Sequence, residues 1–375
     1  MNHIYLDYNA STPIDPRVLN ALIHELKEEI GNPSSTHFHG KKCRQKLETS
    51  RKIIAKFLQV KPNEIYFTSG GTECAASLIE GIIKKNPNCH VISSSIEHSC
   101  IYETLKETEK KGTSVSFLPS SELGAIQPKD VESAIRDHTG LICLMAVNNE
   151  TGVKTDIESI AKIAIKHQIP FIVDGVAWLG KEQIHIPEGV SAIFFSGHKI
   201  HAPKGIGFFY CRSNVKLIPL MQGGNQEGNY RPGTENLPGI VALSESISIL
   251  EDHQKEHISH MTLMRDRLEK ELLAKLPNVV INGSGPRICN TTNLAFLGVD
   301  GESLLMNLDM AGISVSHGSA CSSGALEPSR ILLGMSYPLS RVNSSIRFSV
   351  GRTTTVDEID EAVRIIVKTV ERMRS

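Results

Sequence analysis

The chain has 375 residues, 40% hydrophobic and 22% charged, with a formal net charge of −1. That balance suits a soluble globular protein with one large domain and a smaller one, and it gives no electrostatic ground for nucleic acid or a membrane surface as partner. No apolar run approaches the roughly 18 residues needed to cross a bilayer. The start, Met1-Asn2-His3-Ile4-Tyr5-Leu6-Asp7, lacks the basic and apolar regions expected of a secretory signal. Eight irregularly spaced cysteines without a C-x-x-C pair fit reduced thiols in a cytosol, not a zinc ribbon or disulfide framework.

In chain order, Ile4-Tyr5-Leu6 predicts a short strand running into a polar turn, then a helix from near Asp15 with Pro16 at the favoured first position. Gly31 to His37 is a loop by composition. A helix to about Phe57 and a strand at Glu64 to Phe67 follow. That strand ends in Thr68-Ser69-Gly70-Gly71-Thr72-Glu73 and a helical pattern. A strand, glycine turn and helix start offer backbone N–H groups and the positive end of a dipole to a phosphate. Neither a P-loop nor a dinucleotide fingerprint is present, which disfavours nucleotide binding.

Strands at His90–Ser94, Ser114–Leu118, Gly140–Ala146, Pro170–Asp174, Val190–Phe195 and Ile206–Tyr210 alternate with helical segments. This predicts an α/β fold, a mainly parallel sheet with helices on both faces and ligands at the carboxyl ends of its strands. Polar residues recur at those ends: Glu97-His98, Asn148-Asn149-Glu150, Asp174 and Lys199. Lysine at the mouth of a buried strand is costly unless paired or covalently committed. Partial burial also lowers an ammonium pKa, making the amine nucleophilic enough for a Schiff base. An Asp that keeps a pyridine nitrogen protonated and a Lys that bonds the aldehyde are what pyridoxal phosphate needs from a protein. Asp174 and Lys199 at successive strand ends supply both, and Ser196 and His198 can bond a phosphate.

Met221 to Thr234 is a glycine-rich excursion carrying Arg231 and Thr234 as anion donors. In the helix predicted from Pro238 to Leu276, His253, His257 and His260 share a face, which we read as solvated; no metal site is expected. The last hundred residues predict a small α+β domain. Its short strands fall near Val279–Asn282, Thr292–Phe296, Ile313–Ser316 and Ser345–Ser349, and its last helix starts with a Thr355/Glu358 capping box. The expected division is 16–255 for the large domain, with 1–15 and 256–375 forming the small one. Cys321 lies among Ser, Gly and Ala with nothing apolar to bury it, so an exposed thiol is expected. Arg347, inside a strand-like run, needs an anion such as a substrate carboxylate.

Taken together these residues resemble the group I cysteine desulfurases, members of the class V aminotransferase family with pyridoxal phosphate fold type I. The likeness spans nearly the whole chain. Its most specific pieces are Tyr5-Leu6-Asp7-Tyr8-Asn9-Ala10, Ser69-Gly70-Gly71-Thr72-Glu73, Val147-Asn148-Asn149-Glu150, Ser196-Gly197-His198-Lys199, Arg231-Pro232-Gly233-Thr234-Glu235-Asn236 and Gly318-Ser319-Ala320-Cys321. The resemblance implies that Lys199 forms the Schiff base, Asp174 pairs with the pyridine nitrogen and His98 stacks on the ring. It assigns Gly71, Thr72, Ser196 and His198 to the phosphate, with Thr234 reaching the partner subunit of a homodimer. Asn149 and Arg347 would grip the carboxylate of L-cysteine, and Cys321 would take its sulfur as a persulfide. A sulfur-acceptor protein serving iron–sulfur assembly or thiolation is the implied partner, in the cytoplasm. Ala177 replaces a glutamine usual in the family, and Ala75-Ala76 a pair of amide or acidic residues. A selenocysteine lyase, another fold type I lyase or transaminase, and a catalytically weakened sulfur-transfer scaffold remain alternatives.

Overall fold

A strand covered on both faces needs apolar side chains on both, and the central strands here meet that demand. Phe171, Ile172, Val173, Ile193, Phe194 and Phe195 are all essentially inaccessible. The computed structural model describes residues 3–28, 30–318 and 327–375. In chain order the first elements are β1 (Ile4–Tyr5), α1 (Pro16–Glu28), α2 (Phe38–Leu58), β2 (Ile65–Thr68), α3 (Gly71–Ile83), β3 (His90–Ser94), α4 (Ser99–Lys110) and β4 (Ser114–Leu118). Next come α5 (Pro128–Ser133), β5 (Thr139–Met145), α6 (Ile157–His167), β6 (Phe171–Asp174), β7 (Ala192–Ser196), β8 (Gly207–Cys211) and α7 (Leu237–Lys275). The chain closes with β9 (Val279–Ile281), β10 (Thr291–Phe296), α8 (Gly301–Met310), β11 (Ile313–Ser314), α9 (Arg330–Gly334), α10 (Leu339–Asn343), β12 (Ser345–Ser349) and α11 (Val356–Arg374).

Among the described residues, seven strands form one sheet in the order β2-β8-β7-β6-β5-β3-β4. Its strands run parallel except β8, which is antiparallel to both β2 and β7. The reversal matters for the site. The segment between β7 and β8 returns directly, as a loop outside the carboxyl end of β7, and Lys199 lies on it. Asp174 pairs in register with Phe194, so the ends of β6 and β7 adjoin. A Cβ at Gly175 would sit 2.4 Å from Phe195, so only glycine lets the chain turn straight after Asp174.

β12, β10 and β9 form an antiparallel sheet, and β1 pairs with β11. Helix α7 passes from one core to the other. Ile240, Leu243, Ile247 and Leu250 pack with the large sheet, whereas Met261, Met264, Leu268 and Leu272 pack with β10, β12 and α11. Thr355 and Glu358 cap α11 reciprocally. His260 Nε2 donates to the Thr354 carbonyl at 2.7 Å, and His257 is half-buried, so the histidine face of α7 is not simply solvated as the sequence suggested. Among the described residues no three His, Cys, Asp or Glu side chains are grouped to hold a metal, and no helix is long and apolar enough to cross a membrane.

Candidate active site

Asp174, Ser196 and Lys199 open into a cavity of about 220 Å³ outside the carboxyl ends of β6 and β7. The Lys199 ammonium donates to the carbonyls of Asn9 (2.5 Å) and Ala10 (2.9 Å), so the turn after β1 fixes where the amine stands. Asp174 accepts from the Val176 amide at 2.9 Å. Burial pushes its carboxyl up to about 6, against the opposing pull of that amide and the Lys199 charge. A buried carboxylate of this kind favours a cationic partner.

His98 caps α4. Its Nδ1 accepts from the Cys100 amide at 3.2 Å, which puts the proton of the neutral ring on Nε2. Burial first, then the charges of Lys199, Arg330 and Arg347, pull its pKa down to about 4. The neighbouring Glu97 is fully buried and accepts from Ser94 Oγ at 2.5 Å, and burial raises its carboxyl to about 8.

Gly71 and Thr72, in the first turn of α3, reach the same cavity beside Ser196 and His198. Their amides belong to the group that a helix start leaves without intrahelical partners. A Cβ on Gly71 would lie 3.3 Å from Val176, so the glycine keeps this corner open. The His198 ring is kept uncharged, its pKa drawn down to about 4 by burial and then by Lys199, Lys204 and Lys181.

Asn149 and Arg347 close the opposite side. Arg347, 2% exposed, donates to Asp7 Oδ1 (2.6 Å), Ser316 Oγ (3.0 Å) and the Asn149 carbonyl (3.2 Å). Its Nε and the Asn149 Oδ1 are buried without a partner. Asn148 holds the turn, its Oδ1 accepting from the amides of Glu150 and Thr151 at 3.0 Å each.

Thr234, assigned by the resemblance to the other subunit, does not line this cavity. Thr234 is exposed and borders a separate cavity of about 200 Å³ beside Arg231 and Glu235. Cys321 lies outside the described residues. Arg231 lines that second cavity, and its Nε donates to Glu73 at 2.9 Å. Sequence reasoning missed the Asn9 and Ala10 carbonyls, although their motif was visible, and it missed Lys181. That lysine lines the cavity and donates to the Lys199 carbonyl at 3.2 Å. Nothing in the residue type of a lysine followed by Glu182 separates it from a surface lysine.

The donor set fits pyridoxal phosphate. An amine, a buried carboxylate suited to a ring N–H, and a helix start with a hydroxyl and an imidazole face one cavity of suitable polarity. A profile of the aminotransferase class-V family matches residues 4–362. The chain is 39% identical over 378 residues to a cysteine desulfurase of Nostoc sp., covering 100% of this chain and 94% of that protein. It resembles the solved structure of a NifS-like protein with TM-score 0.92 at 30% identity, covering 99% of this chain and 100% of that one. It also resembles SspA in complex with cysteine, with TM-score 0.83 at 31% identity, covering 94% of this chain and 99% of that one.

Proposed function

The chain belongs to the class-V aminotransferase family, and we infer that it is a cysteine desulfurase that uses pyridoxal phosphate. The observation that carries the reading is one cavity with Asp174 and Lys199 on adjoining strand ends and the buried fork of Arg347 across from them. Pyridoxal phosphate, when bound, supplies an electron sink for the charge left when the Cα proton departs. Asp174 offers its carboxylate to the ring nitrogen, and the start of α3 with Ser196 and His198 holds the phosphate. Neutral His98 covers the ring without adding a charge. Arg347 and Asn149 bind the substrate carboxylate through N–H donors, Arg347 offering the Nε that has no partner within the protein.

Lys199 moves the Cα proton. The Cys321 thiolate attacks the substrate sulfur; an S–S bond forms, the Cβ–S bond breaks and Cβ takes up a proton. Cysteine and the Cys321 thiol thereby become alanine and a Cys321 persulfide. The persulfide passes its outer sulfur to an acceptor protein, in the cytoplasm, for iron–sulfur assembly or thiolation. A homodimer completes the site, with Thr234 serving the other subunit's phosphate. Exposed Leu19, Ile23 and Leu26 on α1, with Phe38 nearby in sequence, support a self-association surface.

The test is incubation of cofactor-loaded protein with L-cysteine and a reductant, measuring sulfide and alanine together. Equal amounts are expected. Cys321→Ser should keep the cofactor's visible band and lose sulfur transfer to an acceptor. If that variant releases alanine at the native rate, a simple lyase replaces the persulfide route.

A further inference from the structure

The chemistry above leaves a buried cation of the cavity wall unused. Lys181 is 6% exposed and lines the cavity with Ala177, Asp174 and Lys199. Its ammonium donates to the Lys199 carbonyl at 3.2 Å, and among the described residues it meets no carboxylate within ion-pair distance. The Cys289 thiol donates to the Lys181 carbonyl at 3.0 Å, but burial pushes that thiol up to about 12, so it is no counter-ion. Glu182 is already taken by Lys154 and by the Trp178 indole. Asp174, on the same cavity wall, forms no ion pair with Lys181, and the other charged or titratable groups around it are the cations and imidazoles Lys199, Arg347, Arg352, His98, His198, His201 and His257. A buried ammonium in such company is costly. Burial lowers its pKa to about 8, which still leaves it charged at neutral pH.

We propose that Lys181 is a positioning residue of the desulfurase reaction: it pins the main chain of Lys199 and supplies, beside Ala177, the positive charge that faces an anionic oxygen of the bound cofactor. The proposal rests on the pyridoxal phosphate reading. Pinning the carbonyl fixes the turn in which Ile200 and Ala202 both donate their amides to the Gly197 carbonyl, and with it the reach of the Lys199 side chain. A cation at this wall favours the more anionic form of whatever the cavity binds, and it does so only while Lys181 keeps its proton.

Three full-length variants test this. Lys181→Met removes donor and charge, Lys181→Gln keeps a donor, and Lys181→Arg keeps the charge. In the loaded protein, Met and Gln should move the titration midpoint of the visible band up by about one pH unit. Arg should restore it. The Met variant should lose about tenfold in kcat with KM for cysteine near native, the loss of one positioning hydrogen bond. The difference between native and Gln proteins should fade above pH 8, where Lys181 is neutral. Without cofactor, NMR titrations of His198 and His201, which both feel the Lys181 charge, should move up in Met and Gln. An unmoved visible-band midpoint in folded Met or Gln protein overturns the proposal, as does a midpoint in Lys181→Arg displaced as far as in the Met variant. Histidine midpoints that move in a chain taking up no cofactor support the charge assignment and overturn the cofactor reading instead. Should Met fail to fold, Gln and Arg carry the comparison.

Discussion

On the wall of the cavity built by the large sheet, burial dominates the electrostatics. His98 and His198 are drawn down to about 4, Glu97 is raised to about 8 and Asp174 to about 6, each with burial as the leading cause. On the wall contributed by β12, Arg347 is just as inaccessible but sits in an ion pair with Asp7. The first wall is dry and short of counter-charges, which suits a group bound once and kept. The second is already paired, so a ligand there exchanges one set of partners for another. That suits a substrate that arrives and leaves with every turnover. Both ends of the segment 317–328 attach to this second wall or to its neighbours. Ser316 pairs with Arg347, Ser329 donates to Glu150 at 2.5 Å, and Arg330 donates to the carbonyls of Ser95 and Glu97.

The largest break in this comparison comes from Lys199→Ala. The variant lacks the amine proposed to tether the cofactor, so borohydride should fix none to the protein, and desulfurase activity should fall by about 10³-fold or more. A variant that still forms a reducible linkage places the tether elsewhere, with Lys181 the next amine in the cavity. Arg347→Lys acts on the paired wall. It keeps a charge for Asp7 but loses the planar fork, so KM for cysteine should rise by about 10- to 100-fold with kcat much less affected. A fall in kcat with unchanged KM would remove Arg347 from carboxylate binding.

The strands of the dry wall were legible because a two-sided sheet demands unbroken apolar runs, and the runs ending at Asp174 and Ser196 stand out. The polar residues at their ends were legible for the same reason, since a charged side chain there contradicts its surroundings. The direction of β8 was not. Phe208-Phe209-Tyr210 is as apolar as its neighbours, and nothing in composition separates a hairpin return from a crossover. Carbonyl acceptors were equally hidden, because Asn9 and Ala10 act through groups every residue carries. Trp178, next in sequence to the missing amide at 177, does not replace it, because its indole donates to Glu182 at 3.1 Å.

Glu97→Gln sharpens the comparison through stability. The folded carboxyl near 8 lies above its ordinary value of 4.5, so its contribution is fully present below 4.5 and is lost as pH rises through 8. The amide keeps the oxygen that accepts from Ser94 and never ionises. Native and variant should therefore be closest near pH 4.5, and the variant should gain up to about 1.4 kcal/mol for each pH unit towards 8. Chemical denaturation at several pH values reads this directly. Parallel curves would mean that Glu97 ionises freely and that the wall is wetter than its burial implies.

The smallest expected effect is at Ala177, where the chain departs from the pattern it resembles. The side chain lines the dry wall and brings no donor, and the nearby indole is turned away. Ala177→Gln would add an amide donor able to serve an anionic oxygen of the cofactor. A hydrogen bond to a charged group contributes about 1.5–3 kcal/mol, and each pKa unit corresponds to about 1.4 kcal/mol. Part of that stabilisation is already supplied if Lys181 fills the role, so the band midpoint should move down by about one pH unit at most. In a Lys181→Met background the same Ala177→Gln change should act on an uncompensated oxygen and produce the larger shift, back towards the native midpoint. Equal shifts in the two backgrounds would mean that residues 177 and 181 act independently. A glutamine without effect in either would show that the oxygen lies out of reach of position 177.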